Sequence, residues 1–166
     1  MNSFIEIVET IKDHLSVLDE FENINFIISS PSSKVPNPIN KIYVTLGIDQ
    51  IEISQGAFSG YLGILEDKEI YGDLNDINVG MKIYLPKTMD GEICYDVFSK
   101  IYGALLEDDN NFNIQSIKCE KVNYDSKVSA YTMKCEIKIS TLVGHEELQN
   151  DIEWKVVIRD YKHPES

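Results

Sequence analysis

From Tyr131 to Ser140 the chain alternates without a break. Tyr131, Met133, Cys135, Ile137 and Ile139 are interleaved with Thr132, Lys134, Glu136, Lys138 and Ser140. A period of two marks a strand with one face in a core and the other in water. Such a strand needs partners, because its backbone N–H and C=O groups must be paired. Three other runs carry the same pattern. Ile42, Val44 and Leu46 alternate with Tyr43 and Thr45. Val79, Met81, Ile83 and Leu85 alternate up to Pro86. Ile152, Trp154, Val156 and Ile158 form the last run. Ile51 and Ile53 resume after Gly47-Ile-Asp-Gln50, which predicts a hairpin turning at residues 47–50.

Two segments follow a helical period instead. Phe4, Ile7, Val8, Ile11, Leu15 and Leu18 share one face of a helix predicted over residues 4–19, and Ser3 with Glu6 matches a capping box. Asp90 opens a second helix, residues 91–106, with Ile93, Val97, Ile101 and Leu105 as its apolar stripe, widened by Phe98 and Tyr102. Residues 24–29 read as a short strand. Pro31, Pro36 and Pro38 then make residues 30–40 an extended arm, since proline fixes φ and removes a donor. Residues 56–78, glycine-rich and acidic, read as a long loop with a short strand at Ile70 and Tyr71. Residues 113–122 read as a strand, 123–126 as a turn and 143–149 as a connector. The expected fold is α+β: a mostly antiparallel or mixed sheet with two helices packed on one face, and long loops or arms. Residues 1–159 form one domain in this reading, and residues 160–166 a polar C-terminal tail.

Charge narrows the function classes. With 28 acidic against 15 basic residues, the formal net charge is −13. That balance opposes general binding to nucleic acid and to anionic membrane surfaces. No run approaches the ~20 apolar residues of a spanning helix. The N-terminus carries acids where an export signal carries Lys or Arg, so a cytoplasmic location is expected.

Little in the chain offers chemistry. Cys94, Cys119 and Cys135 have no zinc or redox spacing, and are expected as buried free thiols. His14, His145 and His163 lie at no ligand spacing from one another or from cysteine. Residues 73–76 and 108–111 lack the alternating ligands, central glycine and closing glutamate of a calcium loop. Ser59 lacks the glycine frame of a nucleophile elbow. Gly56, Gly60 and Gly63 lack the Gly-Lys-Ser/Thr ending of a phosphate loop. No catalytic residue, metal ligand or cofactor site is therefore assigned, and an enzyme is not expected. Carboxylates converging from distant strands leave a hydrolase as an alternative. Phe58, Tyr61 and Tyr71 in the loop region have two readings: interface contacts, for which tyrosine is suited, or covers for the ends of the sheet. Tyr161 lies in the C-terminal tail.

A resemblance rests on the first helix, Pro36-Asn-Pro38, Ile42-Tyr-Val-Thr-Leu-Gly-Ile-Asp-Gln-Ile-Glu-Ile53, Gly60-Tyr-Leu-Gly63, Met81-Lys-Ile-Tyr-Leu-Pro86 and the helix after Asp90. Over residues 4–140 the chain resembles the tail terminator (tail-completion or collar) proteins of phage tails and contractile R-type bacteriocins. The resemblance implies a structural role. The subunit would join copies of itself in a hexameric ring that caps the head-proximal end of a tail tube. The ring would contact the tube protein, anchor the last sheath ring and, in a phage, meet a head connector. Residues assigned to these contacts are Gly56, Phe58, Gly60, Tyr61 and Leu62 for tube or neighbour, and Pro36, Pro38, Tyr161 and His163 for subunit or sheath. Alternatives are another neck or baseplate adaptor, a small hydrolase, or an acidic module that binds a basic protein.

Overall fold

A computed structural model describes residues 4–29, 35–54, 61–65, 68–107, 112–148 and 151–156. In chain order its elements are α1 (Phe4–Ser16), β1 (Ile24–Ile28), β2 (Ile42–Ser54), β3 (Tyr61–Leu65), β4 (Lys68–Pro86), α2 (Ile93–Leu105), β5 (Ile114–Cys119), β6 (Asn123–Asp125), β7 (Ala130–Leu148) and β8 (Asp151–Val156). A 3-10 turn, Asp19–Phe21, follows α1. The strands form one mixed sheet in the order β1-β2-β4-β7-β5, with β3 joined to β4 and with β6 and β8 joined to β7. The fold is α+β. Only β1 and β2, among the described residues, run parallel. Parallel neighbours need a crossover of a dozen or so residues, which the proline-rich segment supplies.

The sheet is organised around β4 and β7. They pair without interruption from Ile70↔Glu146 to Pro86↔Ala130. Ile77, Val79, Met81, Ile83 and Leu85 of β4 and Met133, Cys135, Ile137 and Ile139 of β7 are all buried. Together with Val44 and Leu46 they form one core with Ile7, Val8, Ile11 and Leu15 of α1 and Cys94, Val97, Ile101, Ala104 and Leu105 of α2. Both helices thus cover one face, as their apolar stripes predict. Asp90 lies in the turn ahead of α2, whose first residue is Ile93; its carboxylate accepts the N–H of Glu92, the N-cap residue, at 3.1 Å. Phe98 is only partly buried and Tyr102 is exposed, so they lie at the margin of the stripe.

Four elements differ from the sequence reading. Residues 47–50 are not a turn. β2 continues through them with a bulge: Ile48 pairs with Val79 and Gln50 with Asn78, leaving Asp49 as the extra residue. A bulge inserts one residue and so exchanges the faces beyond it. Ile42, Val44, Leu46 and Ile48 therefore meet the helix side before Asp49, and Ile51 and Ile53 after it. Gly80 makes room for the bulge, since a Cβ there would collide with the Asp49 carboxylate.

The long loop expected at 56–78 is largely strand, with β3 at 61–65 and β4 beginning at Lys68. Its Asp, Asn and Gly residues have low strand propensity, but pairing on both sides overrides it. The connector expected at 143–149 is the end of β7. The turn expected at 123–126 holds the short strand β6, paired to β7 from Asn123↔Thr132 to Asp125↔Ala130.

The position of each apolar residue relative to the helices sets its energetic weight. Ile83 is fully buried between cross-strand partners Val44 and Met133. Ile83→Ala is expected to lower the unfolding free energy by about 2–5 kcal/mol. Ile53, 58% exposed, is expected to tolerate alanine within about 0.5 kcal/mol. Urea denaturation of both variants checks this, and equal losses would contradict the placement.

Candidate functional site

The two faces of the central sheet differ. Opposite the helices, the surface is polar and tied together across strands. Asp76 on β4 meets Lys138 on β7 at 2.7 Å and also accepts a hydrogen bond from the Ser140 hydroxyl. Those bonds, Lys138 first and Ser140 second, hold the Asp76 carboxyl below its ordinary pKa, and Asp76 raises that of Lys138. Lys82 stands 4.8 Å from the Tyr84 ring centroid and 3.9 Å from Asp125. Burial, then the Asp125 carboxylate, pushes the Tyr84 phenol up. The charged groups among them are paired with their neighbours, Lys138 with Asp76 and Lys82 with Asp125. Among the described residues, no three His, Cys, Asp or Glu side chains are grouped to hold a metal ion.

The sheet also extends past the helices. Beyond the buried polar pair Asn75 and Thr141, β4 and β7 run on together, flanked by β3 on one side and β8 on the other. At one level the register reads Tyr61, Tyr71, His145, Trp154 across four strands. β3–β4 and β7–β8 are hairpins whose last pairs are Leu65↔Lys68 and Leu148↔Asp151. The last pairs of both hairpins therefore lie at the same, projecting end of the sheet.

Among the described residues, nothing pairs with the outer edge of β2 from Gln50 to Ser54, or with the outer edge of β8. An unpaired edge offers backbone N–H and C=O groups to another chain. On β2 it also carries Ile51 and Ile53, which are 38% and 58% exposed; Ile64 on β3 is 61% exposed.

The residues assigned from sequence fall in separate places. Tyr61 and Leu62 are in β3, at the projecting end. Pro36 and Pro38 are exposed near the opposite end of the sheet. There Asn37 donates to the Lys127 carbonyl at 3.1 Å, and Ile39 is buried. This part of the proline arm is thus tied to its own chain. From Tyr71 to Pro86, β4 spans ~50 Å at the usual rise per residue, so the two sets do not form one site. Gly56, Phe58, Gly60, Tyr161 and His163 lie outside the described residues. The sequence reading missed Ile51, Ile53 and Ile64 as surface residues. The signal was present: the alternation changes phase at Asp49, and a strand was needed in place of a turn.

The other candidate side chains have structural roles. His14 bridges the helices, its Nε2 3.2 Å from the Ala104 carbonyl and its ring edge-on to Phe112. His145 sits within β7, not in a connector. Cys94 and Cys135 are buried, whereas Cys119 is exposed, contrary to the expectation of three buried thiols. Burial pushes Cys94 up to about 11 and raises Cys135 and Cys119 above the ordinary thiol value.

No helix among the described residues is long and apolar enough to cross a membrane. No family model matches the chain. No curated protein matches it either.

The Asp76 bonds give a pH signature. A carboxylate with a depressed folded-state pKa stabilises the fold above its ordinary titration range, and that contribution fades as pH falls through the depressed value. Asp76→Asn is expected to lower the urea midpoint at neutral pH, with the gap to wild type closing in acid. A gap unchanged by pH would contradict this role.

Proposed function

We propose that this chain is a structural subunit of a phage tail or tail-like particle. In this reading it forms a ring, hexameric by resemblance, that caps the tail tube and anchors the last sheath ring. The observation that carries the proposal is the half-sheet beyond the helices, whose lateral edges on β2 and β8 are unpaired among the described residues. On one edge β2 presents Ile51 and Ile53 and β3 continues the line; on the other lies β8.

These are opposite edges of one sheet. Joining the β2 edge of one copy to the β8 edge of the next is a head-to-tail contact, the kind that closes into a ring. Strand addition supplies backbone hydrogen bonds, and the exposed isoleucines supply apolar area. The strand ends of the two hairpins, at the projecting end, would face the tube. Tyr61 and Leu62, assigned to that contact from sequence, lie in β3 at this end. The proline arm, with Pro36 and Pro38, and the C-terminal tail, with Tyr161 and His163, remain the contacts assigned to subunit or sheath. The sequence resemblance to tail terminators supplies the particle; the open edges supply a means of assembly.

Imaging particles from a strain lacking the gene tests this directly. Tubes of uncontrolled length are expected, and tails of normal length would remove the reading. The full chain carrying Ile51→Lys and Ile53→Lys is expected to keep the wild-type circular dichroism spectrum but to lose the ring in light scattering and negative-stain images. A ring that persists in that double variant would rule out the β2 edge as the subunit contact.

A further inference from the structure

Cys119 and Cys135 are distant in sequence but direct cross-strand partners between β5 and β7. Their pair type follows from the neighbouring bond. Glu120 N–H donates to the Lys134 carbonyl at 2.8 Å, so Glu120 and Lys134, one step along, are a hydrogen-bonded pair. In an antiparallel ladder the pair types alternate. Cys119 and Cys135 therefore form a non-hydrogen-bonded pair, for which the Cα atoms stand about 4.5 Å apart and the side chains approach closest. A disulfide accepts Cα separations of about 4.4–6.8 Å. The two thiols are within hydrogen-bonding reach of each other.

Access differs between them. Cys119 is exposed on an edge strand, while Cys135 and Cys94 are buried. A reagent from solvent meets Cys119 first, and Cys135 is placed to react next.

We propose that Cys119 and Cys135 are a disulfide-forming site, in which exposed Cys119 captures a small-molecule disulfide and Cys135 resolves the adduct. Cys119 thiolate attacks one sulfur of the oxidant; the oxidant's S–S bond breaks and one small thiolate leaves. Cys135 gives up its proton to solvent, and its sulfur attacks the Cys119 sulfur. The second small thiolate then leaves. Two protein thiols are oxidised by two electrons, and one small disulfide is reduced to two thiols. The product fastens β5 to β7 and closes the loop that carries β6. Because burial raises both thiols, the reaction is slow compared with that of an activated cysteine. The site is a structural fastener rather than a catalyst, and it is independent of the ring proposal.

The test uses the full chain with oxidised glutathione at mildly alkaline pH, then alkylation and tryptic mapping without reductant. Cleavage after Lys118, Lys121, Lys134 and Lys138 separates the two cysteines into different peptides. The expected result is a joined pair of those peptides, Cys94 still free to alkylate after unfolding, and no covalent dimer. The oxidised protein is expected to melt about 6–12 °C higher. Cys119→Ser, a change at an exposed position, is expected to leave the melting of the reduced protein unchanged and to abolish the rise. A lasting glutathione adduct on Cys119 with Cys135 free, a Cys119–Cys119 dimer, a bond to Cys94, or three unreacted thiols would each overturn the assignment.

Discussion

The uninterrupted pairing of β4 with β7 is the constraint on which the rest of the structure depends. Each strand reaches beyond the two helices, and each lends its outer edge to several shorter strands. β4 carries β2 and then β3 on one edge; β7 carries β6, β5 and β8 on the other. A shift of one residue between β4 and β7 would move Ile77, Val79, Met81 and Ile83 out of phase with Ile139, Ile137, Cys135 and Met133. The helices would then have no common apolar surface to cover. Burial of these side chains, each contributing about 1.5–3 kcal/mol relative to exposure, is what holds the register.

That same pairing divides the molecule by role. Where helices cover it, the sheet is a conventional half-buried layer whose polar face is closed by contacts such as Asp76 with Lys138 and Lys82 with Asp125. Past Asn75 and Thr141 the two strands continue, flanked by β3 and β8. Among the described residues, the outer edges of β2 and β8 are unpaired there.

The sequence reveals the covered half well. Tyr131 to Ile139, Val79 to Leu85 and Ile93 to Leu105 all obey a simple period because one side of each meets the core. The uncovered half is harder to read. Leu74 and Ile77 on β4 differ in phase, so no single alternation spans that strand. Asp73, Asn75, Asp76 and Asn78 resemble loop residues, and only cross-strand partners distant in sequence make them strand. At Asp49 the phase change was visible, but a bulge and a turn leave similar marks in one dimension. The assigned contact residues share this limit. Tyr61 belongs to the projecting end, but nothing local in the sequence states that Pro36 and Pro38 lie at the other end of β4. Nor does spacing along the chain show that Cys119 faces Cys135.

The length of the β4–β7 ladder also governs how the chain must fold. Ile70 meets Glu146 and Pro86 meets Ala130, so the central ladder joins segments with α2, β5 and β6 between them. Loop-closure entropy is lost before such contacts return any stabilisation, which slows folding in proteins rich in distant pairings. Local hairpins such as β3–β4 and β7–β8 can form early but bury little on their own. Commitment to the native state waits for the two long strands to meet in register. Once they have met, their amides in the helix-covered half exchange with solvent last, and those at the projecting end exchange first. Protection from solvent therefore falls along one ladder, from its helix-covered centre to its projecting end.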